Sequence, residues 1–230
     1  MNVTTTVTGL KKWALIFALC LILQRSPLRA QGVVLGGTGS GCTASGPNSI
    51  AFGYEADALG PYSTAFGNGT EASGTNSTAY GYQNSASGNY STAFGYQSGA
   101  SAPYSTAFGY GVWATGTNST ASGYQTTASG NYSTAFGSYS VAIGNYSTAF
   151  GASNLAYGEF STASGYCTTA TAEYDFVVGV GNVGGANPNP TSWVPTDPIF
   201  EVGNGEPGKP ALRRLGGAQK RQHHHHRHGQ

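Results

Sequence analysis

Residues 63–95 read STAFGNGTEASGTNSTAYGYQNSASGNYSTAFG, and this stretch shows the pattern that decides the fold. An alanine recurs every seven residues from Ala44 to Ala170, nineteen times in succession. A glycine follows two residues after each alanine, except where Ala102 and Ala172 take its place. A fixed period predicts one structural unit stacked on the next, which is a solenoid. A coiled coil is excluded, because a glycine in every heptad costs a helix about 1 kcal/mol relative to alanine.

Alternate heptads differ, so the true period is two heptads. Nine heptads carry a Ser-Thr-Ala-aromatic-Gly element or a close variant, and those between are plainer, as in Ala72-Ser73-Gly74. A strand of about five residues and a turn of two or three fill one heptad. The sequence therefore predicts an all-β, parallel β-roll solenoid with 14-residue coils and two short strands per coil. Nine coils about 4.8 Å apart would make a rod on the order of 45 Å long.

Side-chain alternation along a strand predicts which residues face the interior of the roll. Asp57 and Glu71 directly precede alanines and so point the opposite way. Acids without partners belong in solvent, so the alanines and glycines are predicted inside and the aromatics outside. An inverted arrangement, with the aromatics filling the roll, stays open because Trp113, Val141 and Leu155 fall on the predicted outer side.

With the aromatic side chains pointing outward, one ladder of them runs along the rod: Phe52, Phe66, Tyr80, Phe94, Phe108, Phe136 and Phe150. Aromatic side chains of about 150–250 Å² each would together exceed the few hundred Å² of apolar patch that a soluble monomer usually exposes. The ladder is therefore predicted to be an oligomer interface between copies of the same chain.

The regions on either side of the repeat have their own composition. Residues 1–30 are predicted to be a secretion signal, with Lys11 and Lys12 before a short apolar run, although an uncleaved anchor stays open. Residues 31–43 are a Gly-rich lead-in to the repeat at 44–172. Residues 173–205 are predicted to lose the repeat register and form a β-rich capping connector. Residues 206–230 are predicted to be a disordered, basic, His-rich tail.

Charge is strongly segregated along the chain. All ten Lys and Arg lie in residues 11–29 or 209–227, so the body between Ala30 and Gly208 carries nine acids and no base. A body charge of about −9 argues against nucleic acid as a partner. The body also lacks any His or Lys base, so no catalytic residue, cofactor or metal site is predicted and the chain is not an enzyme. Cys42 and Cys167 lie at opposite ends of the rod, too far apart to bridge.

The repeated Asn/Tyr-Ser-Thr-Ala-Phe-Gly element, followed seven residues later by Ala-Ser-Gly, resembles the head repeats of YadA-like trimeric autotransporter adhesins. The resemblance covers residues 44–172 and is strongest at residues 76–81 and 140–144. It implies a left-handed roll, a homotrimer, and display on a bacterial cell surface in association with the outer membrane. The coiled-coil stalk and membrane-embedded barrel typical of the family are not recognisable after Gly165, so no direct membrane anchor is expected.

Three functions are compatible with this sequence. The resemblance implies an adhesin head that binds extracellular-matrix protein or glycan ligands by many weak contacts. A passive fibre or spacer module is the alternative. An ice-binding face is the third, suggested by one column of threonines at Thr64, Thr78, Thr92, Thr106, Thr120, Thr134, Thr148 and Thr162. Trp113 is the candidate ligand contact, because a large outward side chain there breaks the repeat rule.

Overall fold

A computed structural model describes residues 32–35, 41–182 and 188–205. This part of the chain is an all-β parallel solenoid with two strands in each ~14-residue coil, which confirms the predicted fold class. The predicted signal at 1–30 and the predicted disordered tail at 206–230 lie outside the described residues.

The strands alternate between long and short along the repeat. In chain order they are β1 (Val33–Leu35), β2 (Thr43–Ala44), β3 (Ile50–Tyr54), β4 (Asp57–Ala58), β5 (Thr64–Asn68), β6 (Glu71–Ala72), β7 (Thr78–Tyr82), β8 (Ser85–Ala86), β9 (Thr92–Tyr96), β10 (Gly99–Ala100), β11 (Thr106–Tyr110), β12 (Trp113–Ala114), β13 (Thr120–Tyr124), β14 (Thr127–Ala128), β15 (Thr134–Ser138), β16 (Val141–Ala142), β17 (Thr148–Ala152), β18 (Leu155–Ala156), β19 (Thr162–Tyr166), β20 (Thr169–Ala170), β21 (Phe176–Val180) and β22 (Phe200–Asn204).

Two parallel sheets form the two sides of the roll. The first sheet has twelve strands, β1, the odd-numbered strands β3 to β21, and β22; the second has ten, the even-numbered strands β2 to β20. Within the repeat each strand pairs with its equivalent in the next coil, so that Ala65 lies beside Ala79 and Phe66 beside Tyr80. Equivalent side chains of successive coils therefore stand in straight columns along the rod.

Alanine fills the interior of the roll. Ala65 and Ala72, from the two sheets of one coil, are completely buried, as is every other member of these two alanine columns between Ala51 and Ala170. Phe66 is 37% exposed and Phe150 is 53% exposed. The predicted direction of the side chains is thus confirmed, and the inverted arrangement with aromatics inside the roll is wrong.

Small polar side chains close the ends of each coil from within. The buried Ser77 hydroxyl donates to the carbonyl oxygen of Gly74 over 2.7 Å, and this contact pins the turn that leads into the next long strand. On the other turn, the Asn84 Nδ2 donates to the carbonyl oxygens of Tyr80 and Gly95 at 2.7 Å each. Its Oδ1 accepts the amide of Ser98 in the next coil at 2.8 Å. These bonds satisfy groups that would otherwise be costly to bury.

The glycine of the long strands is required by the close stacking of the coils. Gly67 has a φ of 135°, a value that residues with a Cβ rarely adopt, and a Cβ built on it would overlap the carbonyl oxygen of Gly81. Gly69, two positions further along, has a φ of 61° and a different environment. A Cβ there would have Cγ of Gln83 as its nearest neighbour, at 3.3 Å.

Gly67→Ala and Gly69→Ala form a matched pair that tests this packing. Gly67→Ala should lower the free energy of unfolding by at least about 3 kcal/mol, because strain at φ and a backbone overlap add together. Gly69→Ala should change it by no more than about 1 kcal/mol, since the left-handed region is only mildly unfavourable for alanine. Urea unfolding followed by circular dichroism measures both, and equal losses would contradict the proposed cause.

The solenoid continues beyond the repeat at its C-terminal end. β21 pairs with β19 in the unchanged register, with Thr162 beside Phe176 and Gly165 beside Gly179. The expectation that the register is lost after Ala172 is therefore wrong for the first sheet, because Val177 replaces alanine without disturbing the coil. β22 then pairs with β21 and ends the sheet. At the other end, β1 within the lead-in pairs with β3.

This final coil buries two carboxyl groups. Asp175 occupies the column of the buried serines, one coil beyond Ser161, and Glu201 lies beside Val177 in the alanine column. Glu201 is 4% exposed and accepts a hydrogen bond from Nδ2 of Asn182 at 2.8 Å. Burial, together with the nearby Glu201, raises the pKa of Asp175 to about 7.

The raised pKa predicts that the C-terminal coil is less stable at neutral and higher pH than at pH 4. Folded Asp175 binds its proton more tightly than an unfolded aspartate of pKa 3.8, so the free energy of unfolding falls as pH rises from about 4 to about 7. Asp175→Asn mimics the protonated acid. It should stabilise the protein by roughly 1–3 kcal/mol at pH 8 and have little effect at pH 4.

Hydrogen exchange of the β22 amides, corrected for the intrinsic rate at each pH, measures this difference. Glu71→Gln is the control, because Glu71 is an exposed acid on the outer face of β6. A similar pH dependence in the wild-type chain and Asp175→Asn would show that another group titrates.

Candidate binding surface

The aromatic ladder predicted from the sequence lies on the outer face of the first sheet. All seven of its rings are exposed, and neighbouring rings stack face to face, with centroids 4.7 Å apart for Phe52 and Phe66 and 5.3 Å apart for Phe136 and Phe150. Ser122 and Ser164 occupy the same column and interrupt it. The structure thus brings the predicted interface residues together as a flat apolar ridge, which we call the phenylalanine ladder.

Two further aromatic columns flank this face. One stands at the ends of the long strands, where Tyr82, Tyr96, Tyr110 and Tyr124 stack at 4.8 to 5.1 Å. The other follows the turns before the long strands and contains two stacked runs: Tyr90 and Tyr104, then Tyr132, Tyr146, Phe160 and Tyr174. The first of these columns escaped the sequence analysis, although the recurrence of Gly-Tyr after Tyr80, Phe94 and Phe108 was a sufficient signal.

The spacing of the coils explains why these rings stack. Adjacent parallel strands lie about 4.8 Å apart, which falls within the roughly 4.5–7 Å between ring centroids that offset-stacked aromatic pairs favour, and each such pair contributes about 0.5–1.5 kcal/mol beyond its burial. Stacking hides the faces of the rings and leaves their edges in solvent. A ladder therefore stiffens the rod and still presents apolar surface to a partner.

Trp113 does not belong to any of these ladders. It stands on the outer face of β12 in the second sheet and is 49% exposed. Beside it lies an open groove of about 630 Å³, lined by Gln83, Gln97, Tyr110, Gly111, Trp113, Gln125 and Thr127. The groove occupies the turn between the two sheets, and its Tyr110 belongs to the tyrosine column that flanks the phenylalanine ladder. Trp113, the ligand contact predicted from the sequence, thus lies in a groove whose other residues the sequence analysis did not predict.

Two glycines shape this groove. Gly99 lies beside Trp113 in the neighbouring strand, and a Cβ there would lie only 2.6 Å from Cε3 of the indole, so the ring rests against the bare backbone of β10. Gly111 occupies the position of Gln97 and Gln125 in the coils on either side, with a φ of 60° against their 51° and 50°. Because Gly111 has no side chain, a gap lies between the side chains of Gln97 and Gln125.

The remaining lining groups are polar and uncharged. Nε2 of Gln97 donates to Oε1 of Gln83 at 2.9 Å, so these two amides are held in line. Tyr110 stacks between Tyr96 and Tyr124, at 4.9 and 5.1 Å. A hydrogen bond with Tyr139, whose ring meets Tyr124 edge-on, raises the pKa of the Tyr124 phenol.

Other kinds of site are not seen in the described part of the chain. Within residues 32–35, 41–182 and 188–205, no three His, Cys, Asp or Glu side chains are grouped so that they could hold a metal ion. The same residues include no helix with the length and apolar character needed to cross a membrane. Cys42 and Cys167 do not form a disulfide with each other.

Comparison with known proteins identifies the repeat. A family model described as the YadA head domain repeat matches the chain at overlapping or successive segments, which together span more than half of it: residues 44–70, 58–84, 72–98, 86–111, 114–140 and 142–166. No individual curated protein matches the chain at a significant level. Successive segments begin one or two whole coils apart, so the family model and the structure define the same repeating unit.

Proposed function

This chain belongs to the YadA head-repeat family of trimeric autotransporter adhesins, and from that premise we propose that it is a homotrimeric, surface-displayed head that attaches bacteria to host or matrix ligands. Heads of this family are non-enzymatic and form homotrimers, and the adhesins that carry them are displayed on the outer membrane. The assignment of this chain's own interface and ligand contacts is the part that is proposed here.

The observation that carries the proposal is the exposed phenylalanine ladder. Five of its rings, Phe52, Phe66, Tyr80, Phe94 and Phe108, form an unbroken stack, and each is at least 37% exposed. A continuous apolar ridge of this kind is typical of a surface that contacts another protein. Three copies of the chain, packed ladder to ladder about a common axis, would remove this surface from water.

Replacing two rings of the ladder with serine should weaken the trimer without unfolding the roll. Serine already occupies the same column at Ser122 and Ser164, so Phe94→Ser with Phe108→Ser is compatible with the coil. About half of each side chain is already buried in the single chain, so the loss of these two rings removes roughly 1.5–3 kcal/mol per chain from assembly. Light scattering on a sizing column should show three times the monomer mass for the wild-type chain and largely monomer for the variant.

The matched control changes another ladder. Tyr90→Asn with Tyr104→Asn removes two stacked rings from the turn column, where Asn76 and Asn118 already stand in equivalent coils at similar φ. This variant should remain trimeric. A monomeric wild-type chain, or a control that dissociates as readily as the ladder variant, would contradict the assignment of the phenylalanine ladder to the trimer interface.

The surfaces left free in such a trimer would make the adhesive contacts. They are acidic and rich in Tyr, Ser, Asn and Gln, and each ligand-binding element is present three times. Repetition raises the apparent affinity by making the second and third contacts intramolecular. Trp113 is the proposed ligand contact, since it is a large exposed side chain on the sheet opposite the phenylalanine ladder.

Attachment of coated beads tests the adhesive function directly. Beads carrying the full chain should adhere to surfaces of extracellular-matrix protein or of epithelial-cell glycans. The soluble Phe94→Ser, Phe108→Ser variant should bind the same surfaces at least tenfold more weakly than the soluble wild-type chain, because its multivalency is lost with the trimer. The tyrosine control should adhere like the wild-type chain. Failure of the wild-type beads on every surface would favour the passive spacer, whose support is that most repeat positions are dictated by the roll.

A further inference from the structure

We propose that the groove beside Trp113 is a binding site for a neutral oligosaccharide. The inference rests on the proposed adhesive function and names the ligand chemistry of one site within it. The groove has the size of a small-molecule site, at about 630 Å³, and combines one exposed indole with several uncharged hydrogen-bonding groups.

The indole of Trp113 offers a platform for a sugar ring. Its inner side rests on Gly99, so the ring is held against the sheet and its remaining surface, 49% of the residue, faces solvent. The face of an aromatic ring carries partial negative charge, which attracts the partially positive C–H bonds of a pyranose face. A ring that is already immobilised loses little conformational entropy when a ligand stacks on it.

The surrounding amides and phenol match the hydroxyl groups of a sugar. Each glutamine amide supplies two donors and an acceptor, and a hydroxyl group both donates and accepts. The Gln97–Gln83 bond uses only one of the two Gln97 donors, and the exposed Gln125 makes no side-chain hydrogen bond in the described part of the chain. Tyr110 adds a phenol at the edge of the groove. A carbohydrate would fill this polar capacity, whereas an apolar ligand would bury it unsatisfied.

The absence of charged side chains in the lining of the groove favours a neutral ligand. No charged side chain lines the groove, and the body between Ala30 and Gly208 contains no basic residue that could pair with a sialic acid carboxylate or a sulfate. The acid nearest along the Trp113 column is Glu71, three coils away, which is about 14 Å at the strand spacing. A cationic ligand would therefore find an aromatic face and no carboxylate partner beside it.

Two departures from the repeat coincide at this one place, beside a glycine of the adjoining column. Trp113 is the largest residue in its column, and Gly99 is the smallest and stands directly beside it. Gly111 has no side chain, whereas Gln97 and Gln125 stand at the same position in the coils on either side. Together these residues hold the indole against the sheet and leave a gap beside it, at the turn between the two sheets.

Two variants close or dismantle the groove, and each has a matched control. Trp113→Ala removes the platform, and Trp193→Ala changes another exposed tryptophan, outside the repeat and 56% exposed. Gly111→Gln places a glutamine between Gln97 and Gln125 and fills the gap. Gly41→Gln is the same substitution in the same column five coils away, at a φ of 65° and beside Glu55, which does not line the groove. Gln83, Gln97 and Gln125 show that the coil accepts glutamine at this φ.

The experiment measures binding of the full chain to immobilised neutral oligosaccharides ending in galactose, N-acetylgalactosamine, N-acetylglucosamine, mannose or fucose, beside sialylated and sulfated glycans. We expect at least one neutral glycan to bind. Trp113→Ala and Gly111→Gln should each weaken that binding at least tenfold, and Trp193→Ala and Gly41→Gln should change it less than twofold.

The failures of this inference and of the proposed function are distinguishable. Bead attachment that persists unchanged in Trp113→Ala and Gly111→Gln, with no neutral glycan bound, would overturn the groove assignment and leave the adhesive head intact. Binding through Trp113 that is confined to sialylated or sulfated glycans would overturn the ligand class. Loss of glycan binding in Gly41→Gln equal to that in Gly111→Gln would overturn the location.

Discussion

The close approach of successive coils is the constraint on which the rest of this structure depends. The backbone at Gly67 lies so near the carbonyl oxygen of Gly81 that no Cβ fits between them, and the same contact recurs in each repeat coil. A roll this thin has room inside only for alanine, serine and a few slightly larger groups such as Asn84. Every aromatic side chain of the repeat is therefore forced to the outside. The interior cannot supply the large apolar core of an ordinary domain, and association has to supply what the interior lacks.

Because the strands of successive coils pair in exact register, their outward aromatic side chains form ladders. Because Thr64 stands beside Thr78 and Phe66 beside Tyr80, a residue type favoured at one position is copied into a continuous stripe along the rod. Stripes of stacked rings strengthen contacts between coils and enlarge the apolar surface at the same time. An open sheet end would likewise invite further chains to add. The C-terminal coil departs from the repeat where that risk arises, by placing Asp175 and Glu201 in the interior columns and ending the first sheet with β22.

Much of this fold could be predicted from sequence because one period fixes both the coil and the direction of its side chains. The alanine spacing indicated two strands per coil, and the acids at Asp57 and Glu71 indicated the inward face. The last coil was missed because Val177 and Asp175 replace the alanine and serine that mark a repeat, although Gly179 keeps its place. The pairing of Val177 with Glu201 joins positions further apart than one coil and lies outside any period. The groove was missed for a related reason, since its walls come from several coils and become neighbours only when the columns are aligned.

In a repeat protein, the residues that determine the fold can be distinguished, position by position, from those available to bind a ligand. Residues that every coil shares are dictated by the roll and carry no information about a ligand. Ligand binding has to depend on residues that differ from the repeat and still fit the roll. The structure shows such residues: Gly99 leaves space for the Trp113 side chain, and the φ of Gly111 is one that glutamine adopts in the neighbouring coils. Such a departure leaves the register intact on both sides. A linear array of coils can therefore acquire a local site, such as the proposed groove, without altering the alanines, serines and glycines that every coil shares.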